Sequence, residues 1–258
     1  MINRTLRTSV IVVISFGASY YVMFEYFEKI IAAINILLYV PIISYFFTYI
    51  IAGIPIFIGT SIIHRDFNIF YHLGLKGNFF KGFLLALLFT FPMFLGGLTF
   101  FSFNYKITLP AILKLTIFAG LFEELYFRGF LFGQFFRYTK FGFIPSIFLG
   151  ALLFASGHLY QSTEVSVLIG VFLTTFIGSI FFAWLYVEWN YNLWIPICMH
   201  FLMNLSWEIF IVSENALGGI TSNIFRGLTI TLAIIATVIY KKRKGLKFEV
   251  NKKTLWLK

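Results

Sequence analysis

A single cysteine, Cys198, stands in the 258 residues, so no disulfide forms within the chain and a small disulfide-stapled extracellular fold is excluded. Charge is almost as scarce. Asp, Glu, Lys and Arg make up 12% of the sequence, against about 25% in an ordinary soluble domain. Acidic residues are the rarer sign, 10 against 20 basic. There is no internal repeat, no low-complexity linker and no stretch polar enough to form a separate soluble domain. What remains is apolar: 60% of the residues are hydrophobic and the mean hydropathy is +0.89. That balance excludes a disordered chain and points to an integral membrane protein. Phenylalanine alone supplies 36 residues. Alongside abundant Ile and Lys, this is the pattern of an AT-rich coding bias, so aromatic stripes carry no functional weight here.

Crossing the hydrocarbon of a bilayer takes ~20 apolar residues per helix. Segments of that length recur at 8–27, 30–63, 80–101, 110–136, 144–162, 165–187, 192–212 and 223–240. The expected fold class is therefore all-α, a polytopic transmembrane helix bundle of about eight spans over residues 1–240. Its motif-bearing core is expected at about 110–212, with a short basic tail over 241–258. The second segment is too long for one simple crossing, and Pro41, Gly53 and Pro55 predict a kink or an interfacial piece. The first segment runs past the small residues Gly17, Ala18 and Ser19 to Phe24, which predicts an uncleaved anchor rather than a signal peptide.

Charge gives an independent test of this layout. Arg4, Arg7, Arg65, Lys76, Lys81, Arg137, Lys140 and the tail KKRKGLKFEVNKKTLWLK fall on one side, whereas Lys29, Lys106 and Arg226 fall near the other. The excess marks the cytoplasmic side and places both termini there, in a multi-pass protein expected in a bacterial plasma membrane. For the tail, contact with anionic membrane lipid is expected, and nucleic acid is not an expected partner.

Ionisable groups within spans are costly to bury and mark function by default. Those at depth are Glu123, Glu124, Arg128, His158 and His200, whereas Lys114 and Glu208 lie near span ends and can snorkel. In FEELYFRGF, Glu124 and Arg128 are i,i+4 neighbours able to pair, and Glu123 points about 100° away. A free carboxylate at low dielectric is suited to accept a proton from water. The same cluster equally serves as an ion pair fixing helix register. His158, four residues after Phe154, fits a helix-helix hydrogen bond as well as a catalyst. His200 and Asn204 lie one turn apart in WIPICMHFLMN, able to present an imidazole and a carboxamide to one point or to tie helices together. Cys198, two positions from His200, faces nearly the opposite way and reads as a small buried apolar residue.

The order Glu-Glu-x-x-x-Arg, Phe-x-x-x-His, His-x-x-x-Asn on three separate spans resembles the CPBP intramembrane endopeptidases, also called the Abi or CAAX-protease family. The likeness runs from Glu123 to Asn204, with YHLGLKGNFFKGF resembling the family's lead-in. It implies an intramembrane endopeptidase that hydrolyses a peptide bond of a membrane-associated peptide or lipidated protein. Glu123 then corresponds to the catalytic glutamate and His158 to the histidine that helps it activate water. His200 and Asn204 correspond to the oxyanion pair, and Glu124 and Arg128 to supporting residues. Glu123, His158 and His200 could also supply three zinc ligands. Since His-Glu-x-x-His is absent and the resemblance implies glutamate chemistry, no cofactor is expected. The alternatives are a non-proteolytic membrane scaffold or bacteriocin-immunity-type binding protein, and a transporter with a Glu/His proton relay.

Overall fold

A computed structural model describes residues 4–258, and the described chain is helical throughout, without a named strand. Helices α1 (Arg4–Glu25), α2 (Phe27–Leu38), α3 (Pro41–His64), the single turn α4 (Ile69–His72) and α5 (Phe79–Phe100) come first. One continuous helix, α6, then covers 109–138, and α7 (Phe143–Ser156), α8 (Val165–Glu188), α9 (Trp194–Ile209) and α10 (Ile220–Arg243) complete the bundle. Six segments are long and apolar enough to cross a membrane: α1, α3, α5, α7 taken with its following turn to Gln161, α8 and α10. Both α6 and α9 pack among these, where the fourth and seventh spans were expected. At ~1.5 Å per residue, α9 is about 24 Å long, shorter than the ~30 Å hydrocarbon layer.

The long second segment is two helices. Tyr39 adopts a left-handed conformation (φ 53°), Val40 is extended, and Pro41 opens α3 at a position where its missing N–H costs nothing. Helix α2 buries none of its residues fully and packs on α3, so the long segment is broken before Pro41 rather than crossing as one helix. Helix α1 is part of the bundle: it packs on α3, where the Ser19 hydroxyl donates to the Ala52 carbonyl at 2.5 Å.

At the centre stands α6, touching α1, α3, α7, α8 and α9. Two of its stretches, Leu113–Phe118 and Glu124–Phe132, are wound as wider π-helix, and Gly133 N–H donates to the carbonyl of Arg128, five residues back. Such widened turns concentrate at functional sites because they displace side chains from the regular helical register. The backbone at each junction stays helical, so α6 is not broken. Around it lies one core cluster that includes Phe122, Tyr126, Phe130 and Ile147. A second joins α5, α8, α9 and α10 through Phe89, Leu185, Met199 and Ala233. Cys198 is buried in that second cluster, the packing role its sequence context predicted.

The basic tail lies against the body. Gly142, Phe143 and Ile144 donate their backbone N–H groups to the carbonyls of Trp256, Thr254 and Leu255 at 2.7–2.9 Å, so the tail caps the amino terminus of α7. Glu188, at the end of α8, pairs with buried Lys241 and accepts the N–H of Val250 at 2.9 Å. Basic side chains gather at this same end: Arg7 donates to the Ile62 carbonyl, Arg137 to that of His72 and Lys258 to that of Phe136.

Candidate active site

Helices α6 and α9 must approach closely before their polar groups can meet, and Gly120 permits it. A Cβ at Gly120 would lie 2.9 Å from the backbone nitrogen of Phe201 and 3.2 Å from the Ile197 carbonyl oxygen, so only glycine fits. One turn further along α6 come Glu123 and Glu124; one residue before Phe201 on α9 comes His200. Backbone contact at Gly120 is therefore what sets carboxylate against imidazole.

The two glutamates differ as their 100° offset predicts. Glu124 is wholly buried, and its Oε1 lies 3.0 Å from Nη1 of Arg128, which is also wholly buried. The same oxygen accepts a hydrogen bond from His200 Nδ1 at 2.8 Å. Glu123 keeps 25% of its side chain exposed, and its Oε2 has no hydrogen-bond partner among the described residues. His200 Nε2 lies 3.9 Å from that oxygen. Because Nδ1 donates to Glu124, neutral His200 carries its lone pair on Nε2, toward Glu123.

Aromatic rings wall this centre. The Arg128 guanidinium lies 4.3 Å from the ring centroid of Phe154 and 5.6 Å from that of Phe182. Phe182 also stacks on the His200 ring at 5.5 Å and 14°. Among the described residues Arg128 meets no acceptor in hydrogen-bonding geometry, so Glu124 and the two ring faces are what hold its charge. Phe154 bridges the site: its ring centroid is 4.7 Å from His158 and 6.5 Å from His200.

His158 sits beyond the end of α7. α7 ends at Ser156, and a short 3-10 turn, Leu159–Gln161, follows His158. The last turn of α7 reaches Arg128 through the ring of Phe154. His158 Nδ1 donates to the Phe154 carbonyl at 2.7 Å, and no His158 nitrogen comes within 4.0 Å of a described carboxylate. Asn204 shares the side of α9 with His200, but its Nδ2 donates to the Leu115 carbonyl of α6 at 3.0 Å. The structure thus brings Glu123, Glu124, Arg128 and His200 together, links His158 to them through Phe154, and ties Asn204 to the helix that carries the glutamates.

Sequence reasoning missed Gly120, Phe182, Tyr45 and Tyr49. Tyr45 and Tyr49 of α3 place their hydroxyls 3.5 Å apart and lie within electrostatic reach of Glu123. Their i,i+4 spacing puts them on one face of α3, but nothing local tells that this face turns toward Glu123. Among the described residues, no three His, Cys, Asp or Glu side chains are grouped to hold a metal ion.

Fold and site together define a polytopic helical membrane protein with a buried glutamate, arginine and histidine centre. Residues 105–206 match the family model described as "Type II CAAX prenyl endopeptidase Rce1-like". The matched segment runs from α6 into α9, the helices that carry the Glu-Glu-x-x-x-Arg, Phe-x-x-x-His and His-x-x-x-Asn motifs, and agrees with the resemblance to the CAAX-protease family; YHLGLKGNFFKGF lies before it. It supports a peptide hydrolase of the membrane. No curated protein and no solved structure matches the chain significantly.

Proposed function

We propose that the protein is an intramembrane endopeptidase in which Glu123 activates water for attack on a peptide bond of a membrane-associated peptide or lipidated protein. The observation that carries this reading is the line Glu124, His200, Glu123, with separations of 2.8 and 3.9 Å. Glu124 fixes the proton on Nδ1 of His200, and Nε2 then faces Glu123 Oε2, which has no hydrogen-bond partner among the described residues. A water touching both groups is within reach of each. Glu123 takes one proton as the water oxygen adds to the carbonyl carbon, and returns it to the leaving nitrogen as the C–N bond breaks, so the step balances without a co-reactant. His200 Nε2 shares that proton, or donates to the carbonyl oxygen once protonated, the oxyanion role implied by the resemblance. His158, with Nδ1 engaged, has Nε2 free as a second imidazole of the site. No metal enters this mechanism. Both termini, with the charge excess gathered around them, are assigned to the cytoplasm.

Replacing Glu123 by Gln tests the reading. Loss of a peptide fragment seen by mass spectrometry of membranes containing the active protein, with the variant present at normal level, is the expected result; persistence of every fragment refutes it. A scaffold reading draws on one observation, that Asn204 and His158 each donate to a backbone carbonyl as structural residues do. It predicts that biological activity survives Glu123→Gln.

A further inference from the structure

Helix α3 ends in a cation that no described residue neutralises. Ile54, Phe57, Ile58, Ser61 and Ile62 recur every three or four residues, so they form one stripe along the helix. Arg65, which follows the helix in a left-handed conformation, closes the end of that stripe. Phe67 and Ile69, from the turn into α4, form the other wall of a lateral groove of about 510 Å³. Apart from Ser61 and the two charged residues at its mouth, Arg65 and Asp66, the lining is apolar. Arg65 is exposed and makes no ion pair or side-chain hydrogen bond among the described residues. Asp66 is already engaged: it lies 3.0 Å from His72 Nε2 and accepts the Asn68 N–H at 2.8 Å. The carbonyl end of α3, which repels anions, is partly covered as well. Arg7 donates to the Ile62 carbonyl at 3.0 Å, and the Arg65 N–H donates to that of Ser61.

We propose that this groove holds one acyl chain of an anionic phospholipid, with the phosphate of its headgroup on Arg65. Eleven residues separate Ile54 from Arg65, about 16 Å at ~1.5 Å per residue. That is half of the ~30 Å hydrocarbon layer, the depth of one leaflet. A peptide or a second copy of this chain has to supply an apolar rod of that length beside a single anion; a phospholipid has this shape and already lies at this depth. The headgroup falls at the end of the bundle where basic side chains gather, and Arg7 stands beside Arg65 there through Ile62. An occupant also bears on the rest of the fold. Gln134 and Arg137 of α6 both donate to the His72 carbonyl, at 3.3 and 2.8 Å, and His64 Nε2 lies 2.8 Å from Gln134 Oε1. A lipid that holds the corner between α3 and α4 therefore steadies α6, the helix that carries Glu123 and Glu124.

The test is lipid labelling, measured apart from peptide hydrolysis. Full-length protein in phosphatidylcholine nanodiscs receives a trace of photoreactive phosphatidylglycerol or photoreactive phosphatidylcholine, each with a diazirine midway along one acyl chain. Cross-linked peptides are mapped by mass spectrometry. At equal mole fraction, phosphatidylglycerol is expected to label residues 54–69 about 5-fold more than phosphatidylcholine does, the preference that one basic side chain gives at an anionic headgroup. Arg65→Gln is expected to erase this preference and Arg65→Lys to keep most of it. Ile58→Trp, at a position 55% exposed, is expected to fill the groove and reduce labelling by both lipids. Phosphatidylglycerol is also expected to raise the thermal unfolding midpoint of the parent and of Arg65→Lys, but not of Arg65→Gln. Equal labelling by the two lipids, or a preference that survives Arg65→Gln, overturns the proposal. So does labelling spread evenly over all spans, which means annular lipid only, or a preference lost instead when Lys252 and Lys253 of the tail are replaced by Gln. Labelling of residues 54–69 that falls as the protein dimerises gives the groove to a second copy and overturns it too.

Discussion

Glu123→Gln and Glu124→Gln are the same chemical change at adjacent positions, and the structure predicts opposite consequences. Glu123 is partly exposed and its Oε2 has no hydrogen-bond partner, so removing its charge breaks no contact that holds the fold. Its unfolding free energy should stay within about 1 kcal/mol of the parent while peptide hydrolysis disappears. Among the described residues Glu124 is the only carboxylate paired with the wholly buried Arg128, and it orients His200 as well. Stripping one partner from a buried pair costs about 3–5 kcal/mol. For a chain of this size each kcal/mol lowers the midpoint by about 2–4 °C, so Glu124→Gln should melt about 6–20 °C lower. Cys198, the sole cysteine and buried, supplies the assay: a thiol-reactive dye labels it only as the bundle opens. A second variant separates charge from packing. Glu124→Leu with Arg128→Met replaces the pair by apolar side chains and should recover most of the lost stability. It should remain at least about 100-fold less active, because His200 has lost the group that fixes its proton. Equal melting shifts for the two Gln variants, or a double variant no more stable than Glu124→Gln, would refute the division of labour.

Gly120→Ala should separate α6 from α9, lowering stability by about 1–3 kcal/mol and hydrolysis by more than stability explains, because the added methyl meets backbone at 2.9 Å; a fully active variant would show that the helices can part without loss. Glu188→Gln should leave buried Lys241 uncompensated and free the tail, read as faster proteolysis after Lys244 in detergent, whereas unchanged protection would mean that the α7 cap alone holds it. Purified protein should keep its activity in excess chelator; loss restored by zinc would recast Glu123 and His200 as ligands. Tags at either terminus should be protected in sealed right-side-out vesicles, and exposure of one of them would overturn the assigned orientation.

Much of this protein was legible from composition and local spacing. Scarce charge and recurrent apolar runs determine a helical membrane bundle, because backbone polar groups in hydrocarbon must be satisfied within each segment. The i,i+4 spacing of Glu124 and Arg128 determines their pairing, and the 100° offset determines that Glu123 stands apart, since both follow from helix geometry alone. Pro41 announces a break whose form, two helices joined at Tyr39 and Val40, depends on how α2 lies on α3. Contacts between distant helices were decided by tertiary structure. Nothing local says that Gly120 meets the backbone of Phe201, that His200 turns Nδ1 to Glu124 and Nε2 to Glu123, or that Phe154 and Phe182 enclose Arg128. Nor does helical periodicity announce the π-helical turns around Glu123, or that α7 stops at Ser156 and leaves His158 in a turn. Sequence periodicity fixes which side chains share a face of one helix; which faces meet, and at what depth, is settled by the packing of all the helices at once.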